Sequence, residues 1–276
     1  MLRSYKKKNI LITGATGFLG KSIIKKIDKN KYNITLVSRR KIPGYNQIIV
    51  KDFFKVKKKQ YVEILKDQAI VLHLAWYAKP RKYFNSKQNY KCLKGSKLFA
   101  LACKQASIKK FICIGSCSEY KPSNSIHKPN DKLLPSNIYS KTKINLFRFC
   151  SRVFKNNDTK FLWLRIFYIY GEGEPENKLV SYVLSKIKRN KKAILSNGSQ
   201  IKDFIHINKA TDQIIKVIEN EKYEGALNIC SGKGLMVRDF ITGIAKKIKK
   251  EKYLIFGKKK MSPGDYDHTV GEKNVK

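Results

Sequence analysis

The stretch NILITGATGFLG, residues 9–20, decides the fold. Its first five residues are apolar and β-prone and read as a buried strand, and they run without a break into a glycine-rich turn. The residues that follow, 18–29, carry apolar positions at helical spacing. Strand, glycine turn and helix in that order are the context in which a glycine triplet becomes informative. Gly14 and Gly17 let the backbone turn and come close to a pyrophosphate, and Gly20 allows helix and strand to pack closely. The helix N-terminus would then present N–H groups and a positive dipole to the phosphates. The turn TGATGFLG, residues 13–20, is therefore read as a dinucleotide site, with Gly14, Thr16, Gly17, Phe18 and Leu19 against the cofactor.

Outward from it, short β-rich runs recur at NITLV (33–37), AIVLHL (69–74), FICIG (111–115) and FLWLRI (161–166). Helical patterns lie between them, at 84–106 and 137–155. This alternation predicts an α/β fold, a Rossmann doubly wound parallel sheet joined by right-handed crossovers. After residue 170 the rhythm loosens into a helix near 177–190 and short strands around 193–195, 203–207 and 226–229. Residues 1–170 are expected to form the dinucleotide domain and 171–276 mainly a smaller C-terminal lobe for substrate, with a cleft between them.

Bulk properties narrow the class. The chain has 276 residues, is 42% hydrophobic and carries a formal net charge of +40. Only nine of its 60 basic residues are Arg, whereas phosphate-forking and base-reading surfaces lean on Arg. The excess of Lys reads as solvated surface, and no specific nucleic-acid partner is expected. No apolar run reaches 18 residues, so no membrane span is expected and a cytoplasmic location follows. The six cysteines contain no C-x-x-C pair and sit in apolar patterns, which suits buried thiols in a reducing compartment.

The second strand ends in Ser38-Arg39-Arg40-Lys41, where a cofactor without a 2′-phosphate would meet a carboxylate. A guanidinium can fork onto that phosphate, so NADP(H) is expected, with NAD as the alternative. Farther on, Tyr139 and Lys143 stand four apart in IYSKTK, on one face of the predicted helix. A nearby ammonium lowers a phenol pKa that starts near ~10 and suits it to proton transfer at a carbonyl or alcohol. Ser116, at the end of the fifth strand-like run, can supply a second hydrogen bond to the same oxygen.

Gly14-Ala-Thr-Gly17-Phe-Leu-Gly20, Ser116, Tyr139 and Lys143 together resemble the extended short-chain dehydrogenase/reductases, the nucleotide-sugar epimerase/dehydratase family. The resemblance runs along nearly the whole chain. Asp52, followed by Phe53, is similar to the aspartate that reads the adenine amino group. LHLA (72–75), with Leu74 and Ala75, is similar to the segment under the nicotinamide ribose, and Asn89 to a structural asparagine of the next helix. LRIFYIYGEGE (164–174) resembles the Arg-x-x-x-x-Tyr-Gly segment, and SNGSQIKDFIHIN (196–208) the substrate-lobe motif. In that motif Lys202 stands where an arginine is usual and Asn208 where an aspartate is usual. The closing SPGDYDHTVGEKNVK is similar to the last nucleotide-contacting stretch, and family members ordinarily continue beyond it. The resemblance also implies a homodimer through the helices at 84–106 and 137–155.

Branches of the family differ just after the strand-end hydroxyl. Dehydratases resemble Thr-Asp-Glu there, and epimerising reductases carry a cysteine two residues after the serine plus a histidine farther on. Here those positions are Cys117 and Ser118, and no histidine lies between His127 and His206. Glu119 is one residue late and, on an extended segment, would point away. Cys117 is read as a packing residue, and His73 and His206 as structural. Chemistry that needs only a hydride and Ser-Tyr-Lys is left. The expectation is NADPH-dependent reduction of a nucleotide-linked 4-keto-6-deoxyhexose, as in reductases of the CDP-abequose synthase kind that serve surface-polysaccharide synthesis. A 4-epimerase holding NAD is the alternative. Trp76, Tyr77, Ser118, Asn177, Lys178 and Lys202 are the expected substrate contacts, and no metal site is expected.

Overall fold

The computed structural model describes residues 7–80, 82–260 and 266–275. The first part of the chain runs β1 (Lys8–Thr13), α1 (Phe18–Lys26), β2 (Tyr32–Ser38), β3 (Asn46–Ile49), α2 (Lys58–Ile64), β4 (Ile70–His73), α3 (Gln88–Gln105), β5 (Lys110–Ser116), α4 (Ile138–Val153) and β6 (Lys160–Ile166). The remainder runs β7 (Tyr168–Tyr170), α5 (Leu179–Ile187), β8 (Ala193–Ile194), β9 (Ile201–His206), α6 (Ile207–Glu219), β10 (Gly225–Ile229), β11 (Gly234–Met236), α7 (Val237–Lys246), β12 (Leu254–Ile255) and β13 (His268–Thr269).

Seven strands form one parallel sheet in the order β10-β6-β5-β4-β1-β2-β3. Its order reverses at β1 and β4, which is where ligands bind in open α/β sheets. The central strands are apolar on both faces because both are covered. Ile10, Ile12, Leu36, Leu72, Ile112 and Leu164 pack on one side with Ile23 of α1 and Ile214 of α6. The alternate residues Leu11, Val71, Phe111 and Trp163 pack on the other with Tyr61, Phe99 and Leu146 of α2, α3 and α4. Each such side chain contributes about 2 kcal/mol by leaving water. All six cysteines are buried free thiols, as their apolar surroundings suggested.

The region after residue 170 is more interleaved than the sequence suggested. Strand β10, expected in the smaller lobe, is instead the edge strand of the main sheet beside β6. Helix α6, which had not been foreseen, packs against α1 as its crossover. Lys110, only 2% exposed, donates to the Ile218 and Asn220 carbonyls at the end of α6, where a cation is favoured. The smaller lobe proper is a sheet around β9. Its first half pairs antiparallel with β11 and parallel with β13, and its second half parallel with β7. Helices α5 and α7 pack together through Val183, Ile187, Ile241 and Ala245, and Phe240 of α7 stacks on Phe204 of β9. Residues 262–265 and 276 of the closing stretch lie outside the described residues. Among the described residues, no helix is long and apolar enough to cross a membrane.

Candidate active site

The glycine turn behaves as its spacing demands. Gly14 has φ +74°, and a Cβ there would come within 2.6 Å of the Ala75 amide nitrogen at the end of β4. A Cβ on Gly20 would press on Ala15 Cα at 2.7 Å. Gly17 caps α1, and no side chain bonds to the first-turn N–H groups, which stay available to a phosphate. Thr16 and Gly17 are exposed, Phe18 and Leu19 half-buried. This cradle fits a dinucleotide.

Beside the cradle, Thr13 Oγ1 accepts the Ala75 N–H at 3.2 Å and lies 2.8 Å from His73 Nδ1. The other ring nitrogen of His73 meets Ser96 Oγ at 2.9 Å. Burial lowers the pKa of this histidine from 6.5 to about 3, so it is a neutral structural link between β1, β4 and α3. His206 also has a local role. Its Nδ1 accepts the Asn208 N–H at the start of α6.

At the adenosine end the sequence residues divide. Arg39 and Arg40 are exposed at the end of β2. Ser38, by contrast, spends its hydroxyl on the Arg40 carbonyl at 2.6 Å and shapes the turn. Asp52 accepts the Phe54 N–H at 3.2 Å and pairs with Lys91. The Phe53 ring packs against Tyr61, His73 and Phe99, and its carbonyl accepts the Tyr61 hydroxyl.

The three candidate catalytic residues converge. Helix α4 opens on a capping box in which Asn137 Oδ1 accepts the Ser140 N–H at 2.9 Å. That cap fixes the turn carrying Tyr139, whose own N–H donates to the Phe84 carbonyl at 2.8 Å. Lys143 follows one turn later, 3% exposed, and its Nζ donates to the Ile114 carbonyl at 2.7 Å. Ser116 Oγ lies 2.9 Å from Ser118 Oγ and hydrogen-bonds toward Tyr139. The expected lowering of the Tyr139 pKa is not what this arrangement produces. Burial, then Tyr83 and Glu119, push the phenol well above 10, against the pull of Ser116. The ammonium of Lys143 sits 5.8 Å from the tyrosine ring centre and over Trp76 instead.

The segment after Ser116 is a 3-10 turn, Cys117–Glu119, rather than an extended run. Glu119 therefore curls back and is fully buried. It accepts the Ser116 N–H at 2.7 Å, Trp163 Nε1 at 2.9 Å and Arg165 Nε at 2.8 Å. It is kept from the reacting face, as expected, by an inward turn and not by strand alternation. Cys117 is 8% exposed, and burial raises its thiol pKa to about 12.

Trp76 lies edge-on to Tyr139, and Tyr83 meets the same ring edge-on at 4.8 Å. Lys178 Nζ stands 5.5 Å above the Tyr83 ring, so the loop after β4 meets the start of α5. Tyr77 is half-buried on that loop and Asn177 is exposed beside Lys178. Lys202 is 2% exposed, donates to the Tyr266 carbonyl at 2.6 Å and lies over the Tyr168 ring. Its charge acts on the Cys117 thiol, lowering the pKa that burial raises. The sequence reading missed Tyr83 and Phe84, whose segment KYFNS carries no motif, and Glu119 as the brace of Ser116. The S-x-x-E spacing at 116–119 was the available signal. Among the described residues no His/Cys/Asp/Glu group could hold a metal ion.

The chain is 25% identical over 265 residues to dTDP-6-deoxy-L-talose 4-dehydrogenase (NAD(+)) of Aggregatibacter actinomycetemcomitans, covering 90% of this chain and 94% of that one. It is 23% identical to CDP-abequose synthase of Salmonella typhimurium, covering 86% and 80%. In fold it is similar to UDP-N-acetylglucosamine 4-epimerase from Methanobrevibacter ruminantium, with TM-score 0.84 and 22% identity over 98% of this chain and 91% of that one. MoeE5, solved with UDP-glucuronic acid and NAD, gives TM-score 0.83 and 22% identity over 96% and 90%. Residues 10–230 match one family along the main sheet and its cleft, and the chain belongs to it: the NAD dependent epimerase/dehydratase family.

Proposed function

We propose that the protein reduces the C4 ketone of a nucleotide-linked 4-keto-6-deoxyhexose, with NADPH as the reductant. One observation carries this reading. The reacting face offers the hydroxyls of Ser116, Ser118 and Tyr139 and the ammonium of Lys143, while Glu119 is turned inward and Cys117 is packed. Elimination of water, or inversion by removing a proton from carbon, needs a base on that face, and hydride transfer to a ketone does not.

When bound in the cradle of Gly14, Gly17 and the α1 terminus, the dinucleotide supplies the hydride. Tyr139 gives its proton to the developing C4 alkoxide, and a phenol held well above its ordinary pKa keeps that proton until the oxygen needs it. Ser116 Oγ hydrogen-bonds the same oxygen, with its backbone braced by Glu119. Lys143 places a positive charge beside the tyrosine and toward the ribose. Arg39 and Arg40, exposed at the β2 end without a carboxylate, favour a 2′-phosphate. Asn177, Lys178 and Lys202 would face the nucleotide diphosphate and sugar. The relatives that make CDP-abequose or oxidise dTDP-6-deoxy-L-talose at C4 support chemistry at that carbon.

A second reading, a 4-epimerase with retained NAD, is favoured by the fold likeness to UDP-N-acetylglucosamine 4-epimerase and uses the same three residues. The two separate in one assay. Purified protein is given NADPH or NADH with CDP- and dTDP-linked 4-keto-6-deoxyhexoses, and cofactor absorbance is followed. Net loss of NADPH with one of them is expected. Protein that carries NAD through purification and consumes none would instead be the epimerase.

A further inference from the structure

Lys143 is an ammonium in an unusual position. It is 3% exposed, yet among the described residues it has no carboxylate partner, and its Nζ donates to the Ile114 carbonyl. The titratable groups around it supply little counter-charge, the Glu119 carboxylate acting on it only through space. Burial pushes the thiol of Cys113, on β5, up to about 12, and that of Cys92, on α3, upward too. His73, on β4, is neutral for the same reason. Tyr139 keeps its proton, and Glu119 already holds Arg165. A buried amine in such surroundings tends to lose its charge, and burial does lower the pKa of this one.

What faces the ammonium is an indole. Lys143 Nζ lies 3.8 Å from the centre of the Trp76 ring, with Trp163 farther away at 5.9 Å. The Trp76 ring is fixed from several sides. Its Nε1 donates to Asn89 Oδ1 at 2.8 Å. Asn89 is fully buried, and its Nδ2 donates to the Tyr83 and Ser86 carbonyls at 2.6 and 2.9 Å. With its amide hydrogens on carbonyls, its oxygen must face the indole, so the amide orientation is settled by its partners. Phe54 and Tyr139 meet the indole edge-on, each at 6.5 Å.

We infer that Trp76 is a positioning residue: its ring face, oriented by Asn89, seats the ammonium of Lys143 and keeps it charged next to Tyr139. This deepens the reductase reading and rests on it for the catalytic consequence. A cation over an indole face in a desolvated site is among the strongest of its kind, because the ring quadrupole replaces part of the lost hydration. Trp76 would thus act through Lys143 and also wall the sugar site.

The test replaces Trp76 with increasingly fluorinated tryptophan analogues, which keep the shape of the ring while draining its negative face, and separately makes Trp76→Leu. The pKa of Lys143 is read by trace amine acylation across pH, followed by peptide mass spectrometry. This needs no substrate, so it still decides if the reductase reading fails. The expected result is a stepwise fall of the Lys143 pKa with fluorination, reaching about one unit in Trp76→Leu. Where turnover is measurable, the alkaline limb of kcat moves down with it and kcat falls about tenfold. A Lys143 pKa that stays constant through the fluorinated series would overturn the inference and leave Trp76 as packing.

Discussion

The carboxyl edge of the seven-stranded sheet and the small sheet around β9 both end in polar side chains, but they are assembled differently. At the edge, the bracing bonds are often short in sequence: Glu119 holds Ser116 three residues back, and Asn137 caps the turn of Tyr139. Around β9 the bracing bonds are mostly distant. The buried carboxylate of Asp203 accepts the Ser231 N–H and hydroxyl at 2.7 Å, the Gly232 N–H at 2.9 Å and the Gly271 N–H at 3.3 Å. The strands beside it come from 168–170, 234–236 and 268–269. The proposed chemistry therefore sits where much of the bracing is local, and the proposed substrate side rests on segments that must arrive together.

The strongest break in this comparison comes at the edge. Tyr139→Phe keeps the ring between Trp76 and Tyr83 and removes only the proton donor. Turnover should fall about a thousandfold while NADPH affinity, measured by calorimetry, stays within about twofold. Near-normal turnover would remove Tyr139 from the reaction.

Asp203→Ala tests the other region. It leaves three N–H donors, that of Gly271 buried and those of Ser231 and Gly232 half-buried, without their acceptor, at a cost of about 3 kcal/mol. Urea unfolding and limited proteolysis should show the smaller lobe opening first, with NADPH binding retained. Simultaneous loss of both would make the two regions one cooperative unit.

A gentler probe sharpens the edge through His73. Its folded pKa, about 3, lies below the ordinary 6.5, so the unfolded chain takes up a proton that the native state refuses. Stability present above pH 6.5 is therefore lost as pH falls toward 3, by about 2 kcal/mol near pH ~5. Urea midpoints compared between neutral and mildly acid pH should show this slope, and His73→Gln should flatten it.

The same contrast explains what the sequence made legible. Strands buried on both faces are continuous apolar runs, so β1, β2, β4, β5 and β6 could be read within a residue or so, and the glycine spacing named the turn after β1. Ser116, Tyr139 and Lys143 were legible because spacing places them. Strand β10 was misassigned to the lobe because five residues, GALNI, carry no sign of which sheet will accept them. The Tyr139 environment was misread because the motif shows Lys143 but not Tyr83, which arrives from a loop without a pattern. Likewise, nothing in Lys202 itself told that its ammonium would turn to the Tyr266 carbonyl.

The most direct test of the central claim follows the hydride itself. NADPH deuterated at its transferring carbon is incubated with the nucleotide-4-keto-6-deoxyhexose that the wild-type protein consumes, and the product sugar is analysed by mass spectrometry and NMR. The account predicts one deuterium at C4 for each NADPH oxidised, with the transfer about a thousandfold slower in Tyr139→Phe. A sugar altered at C4 without deuterium, and with no NADPH oxidised, would contradict it.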